Sequence, residues 1–255
     1  MKSAPAPVAR PANAALPALV LLFNAFIWGT SWLPFRALRE HGSHPLWSTV
    51  FVYVCGVALF LVWRPRVLGE LARHPKLAAL ALAAGLTNIC FNWAVTVGDV
   101  MRVVLLFYLM PAWSILLAWA LLGERPTAGA LLRRWRGTPA TARTFAMFLG
   151  SAIVSAGVAL AAQAAHLAAP PALANWAGWL PWALGLTAAL LTGNMALQYG
   201  TAHLPAQTAS LIMLAEVVFA SVSSVALGAA ALATGTLAGG AMILSAALLA
   251  VLMRR

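Results

Sequence analysis

The run LAALALAAGLTNICFNWAVTV, residues 77–97, indicates the fold class more directly than any other stretch of the chain. It contains no charged residue, and it reaches the roughly 20 residues that a helix needs to cross the roughly 30 Å hydrocarbon core of a bilayer. Its apolar residues are continuous rather than alternating, and a helix satisfies its backbone hydrogen bonds within one segment. The run is therefore predicted to be a transmembrane helix.

Seven other runs have a similar length and character. They lie at Ala15–Phe35, Leu46–Trp63, Val100–Leu122, Thr144–Ala165, Trp176–Tyr199, Pro205–Gly228 and Thr236–Met253. The chain is 63% hydrophobic and 8% charged, whereas an average soluble domain is about 25% charged. A soluble protein is excluded, because its surface would need more charged residues. We predict an all-α, polytopic transmembrane bundle of about eight helices, surrounded by a lipid bilayer.

The net charge of +11 is distributed unevenly between the loops that join these spans. If eight helices alternate in direction, one side of the membrane holds Lys2, Arg10, Arg64, Arg66, Arg73, Lys76, Arg125, Arg133, Arg134, Arg136, Arg143, Arg254 and Arg255. The other side holds Arg36, Arg39 and Arg102. Lys and Arg accumulate on the cytoplasmic side of membrane proteins. The charges therefore predict a multi-pass protein of the inner (plasma) membrane with both termini in the cytoplasm, and they do not indicate a nucleic-acid partner.

The residue types that carry catalysis or bind metals are scattered along the chain. Cys55 and Cys90 lie in separate apolar runs, and no two histidines are four residues apart, as a helical metal site would require. Neither a nucleophile elbow nor a phosphate-binding loop is present. The sequence predicts no metal, no cofactor and no enzymatic activity.

Two parts of the chain resemble each other at a constant offset of 106 residues. Leu86–Asn88 corresponds to Thr192–Asn194, and Met110–Pro111 corresponds to Glu216–Val217. The identity is low, yet a helix, a loop and the following helix stay in step. Such repeats are typical of secondary transporters, in which the substrate site lies at the interface of the repeats.

Three motifs stand out within the spans. They are Trp28–Gly29–Thr30–Ser31, the stretch from Val100 to Pro111 that continues to Gly123–Glu124, and Gly239–Leu244 near the end. Together they resemble the EamA-like transporters of the drug/metabolite transporter superfamily. The resemblance implies ten helices in two inverted five-helix repeats around a central cavity. It also implies secondary-active transport or export of small organic metabolites, such as amino acids or drug-like compounds.

The chain departs from that pattern after its fifth span. Residues 1–14 are interpreted as a disordered tail and residues 15–165 as a complete five-helix repeat, but residues 166–255 contain only three predicted spans. Ala229 stands where a second Gly-Glu pair is expected. Two helices that would line the cavity are therefore missing. Either a partner chain or a second copy in a homodimer completes the bundle, or the protein is a divergent, non-transporting or decayed member.

Glu216 is the sharpest candidate for a functional residue, because it lies in the middle of an apolar span. A charged side chain at the bilayer centre costs about 2.5 to 3.5 kcal/mol on insertion scales, so a role is expected. Burial favours the protonated form of a carboxyl, and water entering from one side favours release of the proton. Glu216 is therefore either the carrier in proton-coupled transport or a neutral side chain hydrogen-bonded to Ser210, Ser221 or a neighbouring helix.

Amides and aromatic residues inside the spans are the next candidates. The amides are Asn24, Asn88, Asn92, Asn194 and Gln198. Asn88 and Asn92 are four residues apart and share a helix face, as do Asn194 and Gln198. We interpret them as a polar stripe along a cavity, with interhelical hydrogen bonding as the alternative. Trp28 and Tyr108 lie deep enough to stack on a substrate, although helix packing is the commoner use of such side chains.

Charged residues at the ends of the fourth span allow two interpretations. Asp99 and Arg102 are three residues apart at its start. Asp99 either caps this helix, with Arg102 paired to it near the headgroups, or forms with Arg102 a gate on the external side. Glu124 ends the span and is interpreted as an interfacial stop, with a gate as the alternative.

Overall fold

The computed structural model describes residues 15–109, 138–171, 173–229 and 245. Within these ranges the chain forms ten α-helices and one 3₁₀ turn, and no β-strand occurs. The helices are α1 (Ala15–Thr30), α2 (Trp32–Glu40), α3 (Pro45–Trp63), α4 (Val67–Ala72), α5 (Leu77–Val97), α6 (Val100–Tyr108), α7 (Ala140–Ala164), α8 (Trp176–His203), α9 (Ala206–Met213) and α10 (Ala215–Ala226). The 3₁₀ turn, Leu173–Asn175, leads directly into α8.

Six segments of the described part are long and apolar enough to cross a membrane, which confirms the polytopic helical bundle. They are Ala15–Glu40, Pro45–Trp63, Leu77–Val97, Ala140–Ala164, Trp176–His203 and Thr208–Ala226. The first is longer than predicted, because α2 continues beyond Phe35. The predicted fourth span is described only as far as Leu109. The predicted eighth span, apart from Ser245, and the predicted tail, 1–14, lie outside the described residues.

The helices form two packing groups that meet along a seam. In the first group, α7 packs against both α3 and α5. In the second group, α1 packs against α8, α9 and α10. Contacts of α8 with α3 and α7, and of α6 with α5 and α10, join the groups across the seam.

Glycines allow the closest helix approaches in both groups, as is usual where helices pack in lipid. A Cβ atom on Gly150 of α7 would collide with the backbone of Ala81 in α5. A Cβ atom on Gly29 of α1 would lie 2.7 Å from the backbone oxygen of Glu216 in α10. Both positions need glycine because a second helix backbone occupies the space.

The end of α3 and the starts of α5 and α7 meet beside the short helix α4. Glu70 of α4 accepts a hydrogen bond from Thr141 at 3.0 Å and forms an ion pair with Arg64 at 3.2 Å. We call this region the basic end of the bundle, since it holds Arg64, Arg66, Arg73, Lys76 and Arg143. The opposite end holds the loop at Gly98–Asp99 between α5 and α6.

Two of the spans are interrupted along their length. The first is broken at Ser31, whose hydroxyl donates to the Trp28 carbonyl at 2.8 Å. The other is broken at Leu214, where the Val217 N–H donates at 3.1 Å to the carbonyl of Leu214, three residues back. The carbonyl of Met213, four residues before Val217, is thereby released from the helical hydrogen-bond pattern. In lipid such a group needs another hydrogen-bond donor, which a neighbouring helix can supply.

The link between α7 and α8 agrees with a shortened second half of the chain. Helix α7 ends at Ala164 and α8 begins at Trp176, which leaves too few residues for two further membrane helices. Helices α6 and α9 begin at Val100 and Ala206, 106 residues apart, as the repeat predicts. The division into a five-helix and a three-helix repeat stays a prediction.

Candidate substrate cavity

A cavity of about 370 Å³ lies on the seam between the two packing groups. Its wall combines polar side chains with aromatic ones: Thr87, Asn88, Asn194 and Glu216, with Trp28, Phe91 and Phe107. The remaining wall residues are apolar and come from α5, α7, α8 and α9. A mostly apolar cavity with a few convergent polar groups is typical of a small-molecule site.

Glu216 is the acidic residue of this wall, and it is only 4% exposed. The Tyr108 hydroxyl oxygen lies 2.8 Å from Oε2 of Glu216 and 2.6 Å from the Met213 carbonyl oxygen that the helix break releases. A tyrosine hydroxyl has one proton, so it donates to one of these oxygens at a time. If it donates to Met213, the contact with Glu216 is a hydrogen bond only when Glu216 is protonated. The arrangement therefore accommodates two protonation states.

Two of the five amides that the sequence suggests as a polar stripe line the cavity. Asn88 of α5 and Asn194 of α8 both face the cavity, and they are the pair that the 106-residue offset relates. Asn88 donates to the Ser151 hydroxyl at 2.8 Å, and Asn194 donates to the Leu190 carbonyl at 2.9 Å. Both bonds use the amide nitrogen, so neither involves the amide oxygen of the side chain.

Asn24 and Asn92 lie near the cavity without forming its wall. Asn24 is fully buried, and its amide donates to the Met213 sulfur at 3.2 Å. Asn92 is also fully buried, and neither of its amide atoms meets hydrogen-bond geometry with a described residue, although the Tyr53 hydroxyl is a polar neighbour. Asn88 and Asn92 share a helix face, but only Asn88 lines the cavity.

Gln198 has a partner that the sequence did not suggest. Its side-chain oxygen accepts from Nε and Nη2 of Arg143 at 3.1 and 2.8 Å. Arg143 precedes the wall residue Met147 by four residues on α7, and Gln198 follows Asn194 by four residues on α8. The pair therefore lies one helical turn beyond the wall, toward the basic end.

Aromatic rings close the cavity toward the opposite end. The ring of Phe91 lies 6.1 Å from that of Trp28 and 5.0 Å from that of Phe107. Beyond them a buried cluster continues along α5 and α6, which includes Val95 and Val100. The cavity is thus nearer to the basic end, and an apolar layer separates it from Gly98.

Residues 15–134 match the model of the EamA-like transporter family. This part of the chain is an EamA-like region. The resemblance seen in the first two motifs is thereby confirmed, whereas the third, Gly239–Leu244, lies outside the match. The match includes Trp28, Asn88 and Tyr108 but ends before Asn194 and Glu216. No curated protein and no solved structure showed significant similarity to the chain.

The EamA-like region and the six apolar spans together make this a multi-pass membrane transporter in general terms. Its surroundings are a lipid bilayer, and its cargo is a small molecule. Family members are transporters rather than enzymes. Among the residues that the structure describes, no group of His, Cys, Asp and Glu is arranged to hold a metal ion.

At the end of the bundle opposite the basic end, charged side chains form hydrogen bonds with nearby backbone groups. Asp99 precedes α6, and its carboxylate accepts from the backbone N–H of Arg102 at 2.9 Å, as an N-cap does. The Arg102 side chain is exposed. Arg36 donates to the Gly98 carbonyl at 2.7 Å, and Arg39 donates to the Thr96 carbonyl at 3.3 Å. Glu124 lies outside the described residues.

Proposed function

We propose that this protein is a secondary-active transporter that moves small organic metabolites across the inner membrane and couples their movement to protons. The observation that supports it best is the buried carboxyl of Glu216, which lines a mixed polar and aromatic cavity and contacts Tyr108 at a helix break. The metabolites that we expect are compounds small enough for a cavity of about 370 Å³, such as amino acids or compact drug-like compounds.

Glu216 is suited to carry the coupling proton because of what surrounds it. A carboxyl shielded from water is most stable when protonated, whereas one that water reaches is most stable when ionised. Among the described residues, Tyr108 is the titratable group that contacts it, and α1 and α8 present Asn24, Trp28 and Asn194 nearby. Opening the cavity to one side would therefore decide whether Glu216 holds its proton.

The two packing groups provide the moving parts. The cavity lies between them, and substrate sites in repeat transporters lie where one bundle rocks against another. Tyr108 of α6 contacts α9 and α10 across this seam through Met213 and Glu216. A change in the protonation of Glu216 would exchange the acceptor of the Tyr108 hydroxyl, which couples the proton to the helix break.

The orientation follows from the basic end, which we place in the cytoplasm with both termini on that side. The reason is the excess of Lys and Arg in the loops there. A fluorescent reporter that matures only in the cytoplasm should be bright when fused after residue 76 and dark when fused after residue 98. The reverse result would show the opposite orientation in the membrane and would contradict this proposal.

Reconstitution into proteoliposomes tests the function itself. With an imposed pH gradient, we expect saturable movement of at least one member of a panel of radiolabelled amino acids and organic bases. Dissipating the gradient with a protonophore should reduce the movement to the level of exchange at equilibrium. Empty liposomes are the control for leakage.

A reconstituted protein that moves none of the panel would contradict the proposal. It would favour the alternative that the chain is a non-transporting subunit, completed by a partner chain or by a second copy. The shortened link between α7 and α8 is the feature that supports this alternative.

A further inference from the structure

Arg143 pairs with the neutral amide of Gln198, one helical turn from the cavity wall. Among the described residues, the ion pair within 4.0 Å joins Arg64 and Glu70, and no carboxylate reaches Arg143. Arg143 is partly buried, and it uses two N–H groups on the single amide oxygen of Gln198. The edge of the guanidinium that would receive the two oxygens of a carboxylate is thus occupied by a neutral substitute.

A carboxylate is a stronger acceptor at this edge than an amide oxygen. Its negative charge strengthens each hydrogen bond, and its two oxygens match two parallel N–H groups. Partial burial also reduces the screening of the guanidinium by water. If a carboxylate displaced the Gln198 oxygen, the amide would still offer two N–H donors to it.

The position of the pair connects it with the cavity. Arg143 and Met147 share one face of α7, and Asn194 and Gln198 share one face of α8. The wall residues Met147 and Asn194 therefore lie one turn above the pair, so a ligand that fills the cavity can extend toward the guanidinium. The acidic residue of the described wall, Glu216, lies on a different helix, α10, from either member of the pair.

We infer that Arg143 and Gln198 form the site that binds the carboxylate group of the transported molecule at the basic end of the cavity. The inference rests on the proposed transport function and gives it a substrate class, the organic carboxylates, with zwitterionic amino acids among them. Gln198 holds the guanidinium in place while the site is empty, and it is displaced as the ligand arrives.

The test measures binding to the purified full chain in detergent, without a gradient. The probes are sodium acetate, sodium benzoate and uncharged benzamide, with the ionic strength kept constant by sodium chloride. We expect the thermal unfolding midpoint to rise with at least one carboxylate and to reach a plateau, because a ligand that binds only the folded state stabilises it. Benzamide should leave the midpoint unchanged.

Variants assign the effect to the pair. Arg143→Gln should abolish the response to the carboxylate. Arg143→Lys should raise the half-saturating concentration by about tenfold, because a single charge-assisted hydrogen bond is lost. Gln198→Glu should abolish the response while raising the midpoint of the free protein, since it places a carboxylate permanently on Arg143. Arg64→Gln is the matched control, and it should respond as the wild type does.

Several results would overturn the inference. They are a wild type that responds to neither carboxylate, an equal response to benzamide, and an Arg143→Gln protein with an unchanged half-saturating concentration. If Arg143→Gln does not elute as a folded protein, Gln198→Glu decides the question, because it retains the arginine. If the pair only holds α7 and α8 together, replacing Arg143 would lower the unfolding midpoint of the free protein, but the response to carboxylates would remain. A protein that binds carboxylates but fails to transport would contradict the proposed function alone.

Discussion

Glu216→Gln should abolish proton-driven accumulation of substrate in proteoliposomes, reducing it to the level of empty vesicles. Glutamine has nearly the same shape, and its side-chain oxygen can still accept the hydrogen bond that Tyr108 now offers at 2.8 Å. It cannot bind and release a proton. Because it resembles the protonated carboxyl, exchange of labelled for unlabelled substrate without a gradient should survive. The measurement compares uptake at several imposed pH gradients with exchange at equal pH.

Glu70→Gln is the matched control for this substitution. Glu70 belongs to α4 at the basic end, where it pairs with Arg64 and accepts from Thr141, and it does not line the cavity. A surface ion pair of this kind contributes about 0–1 kcal/mol, so the fold should persist. Its flux should keep the pH dependence of the wild type. If Glu216→Gln kept that dependence too, Glu216 would not be the proton carrier.

Gly150→Ala should destabilise the bundle strongly, whereas Gly157→Ala on the same helix should not. A Cβ atom at Gly150 would collide with the backbone of Ala81, and a backbone cannot rotate away as a side chain can. The helices α5 and α7 must then move apart along their whole contact. Overpacking costs about 1–3 kcal/mol, and we expect the upper part of this range. The thermal unfolding midpoint of the purified protein and its elution volume would report the change.

Gly157 should tolerate alanine, because the space around it is open. Nothing lies within 4 Å of a Cβ atom at Gly157, which is exposed on α7. Alanine there should be neutral or slightly stabilising, because glycine within a helix costs about 0.5–1 kcal/mol relative to alanine. Equal midpoints for the two variants would show that the α5–α7 contact is looser than the geometry indicates.

Two parts of the candidate site could be found from the sequence. Glu216 is conspicuous because an acid in an apolar run is costly and rare. Asn88 and Asn194 could be matched because the 106-residue offset relates them, and both do lie on the cavity wall. In each case the signal is a polar residue within an apolar span, where the surrounding hydrocarbon makes polar residues costly.

Other parts could not be found, because helical periodicity defines a shared face but not what that face meets. Asn92 follows Asn88 by four residues on one helix face, yet Asn88 lines the cavity and Asn92 is buried next to Tyr53. From the sequence, Arg143 is one more basic residue near a span end, since its partner is 55 residues away in the chain. The break at Leu214 carries no glycine or proline, and the released Met213 carbonyl finds Tyr108 on another helix.

The sequence by itself determined that this chain crosses a bilayer repeatedly as helices. That property is local, because each span must be apolar enough for hydrocarbon and must satisfy its own backbone hydrogen bonds. The tertiary structure alone decided which helices pair, where two of them break and which polar side chains converge on one cavity. Lipid is as apolar as the helix surfaces, so association depends on close backbone approach and on individual hydrogen bonds between distant residues. Gly150 against Ala81 and Tyr108 against Glu216 are contacts of these two kinds.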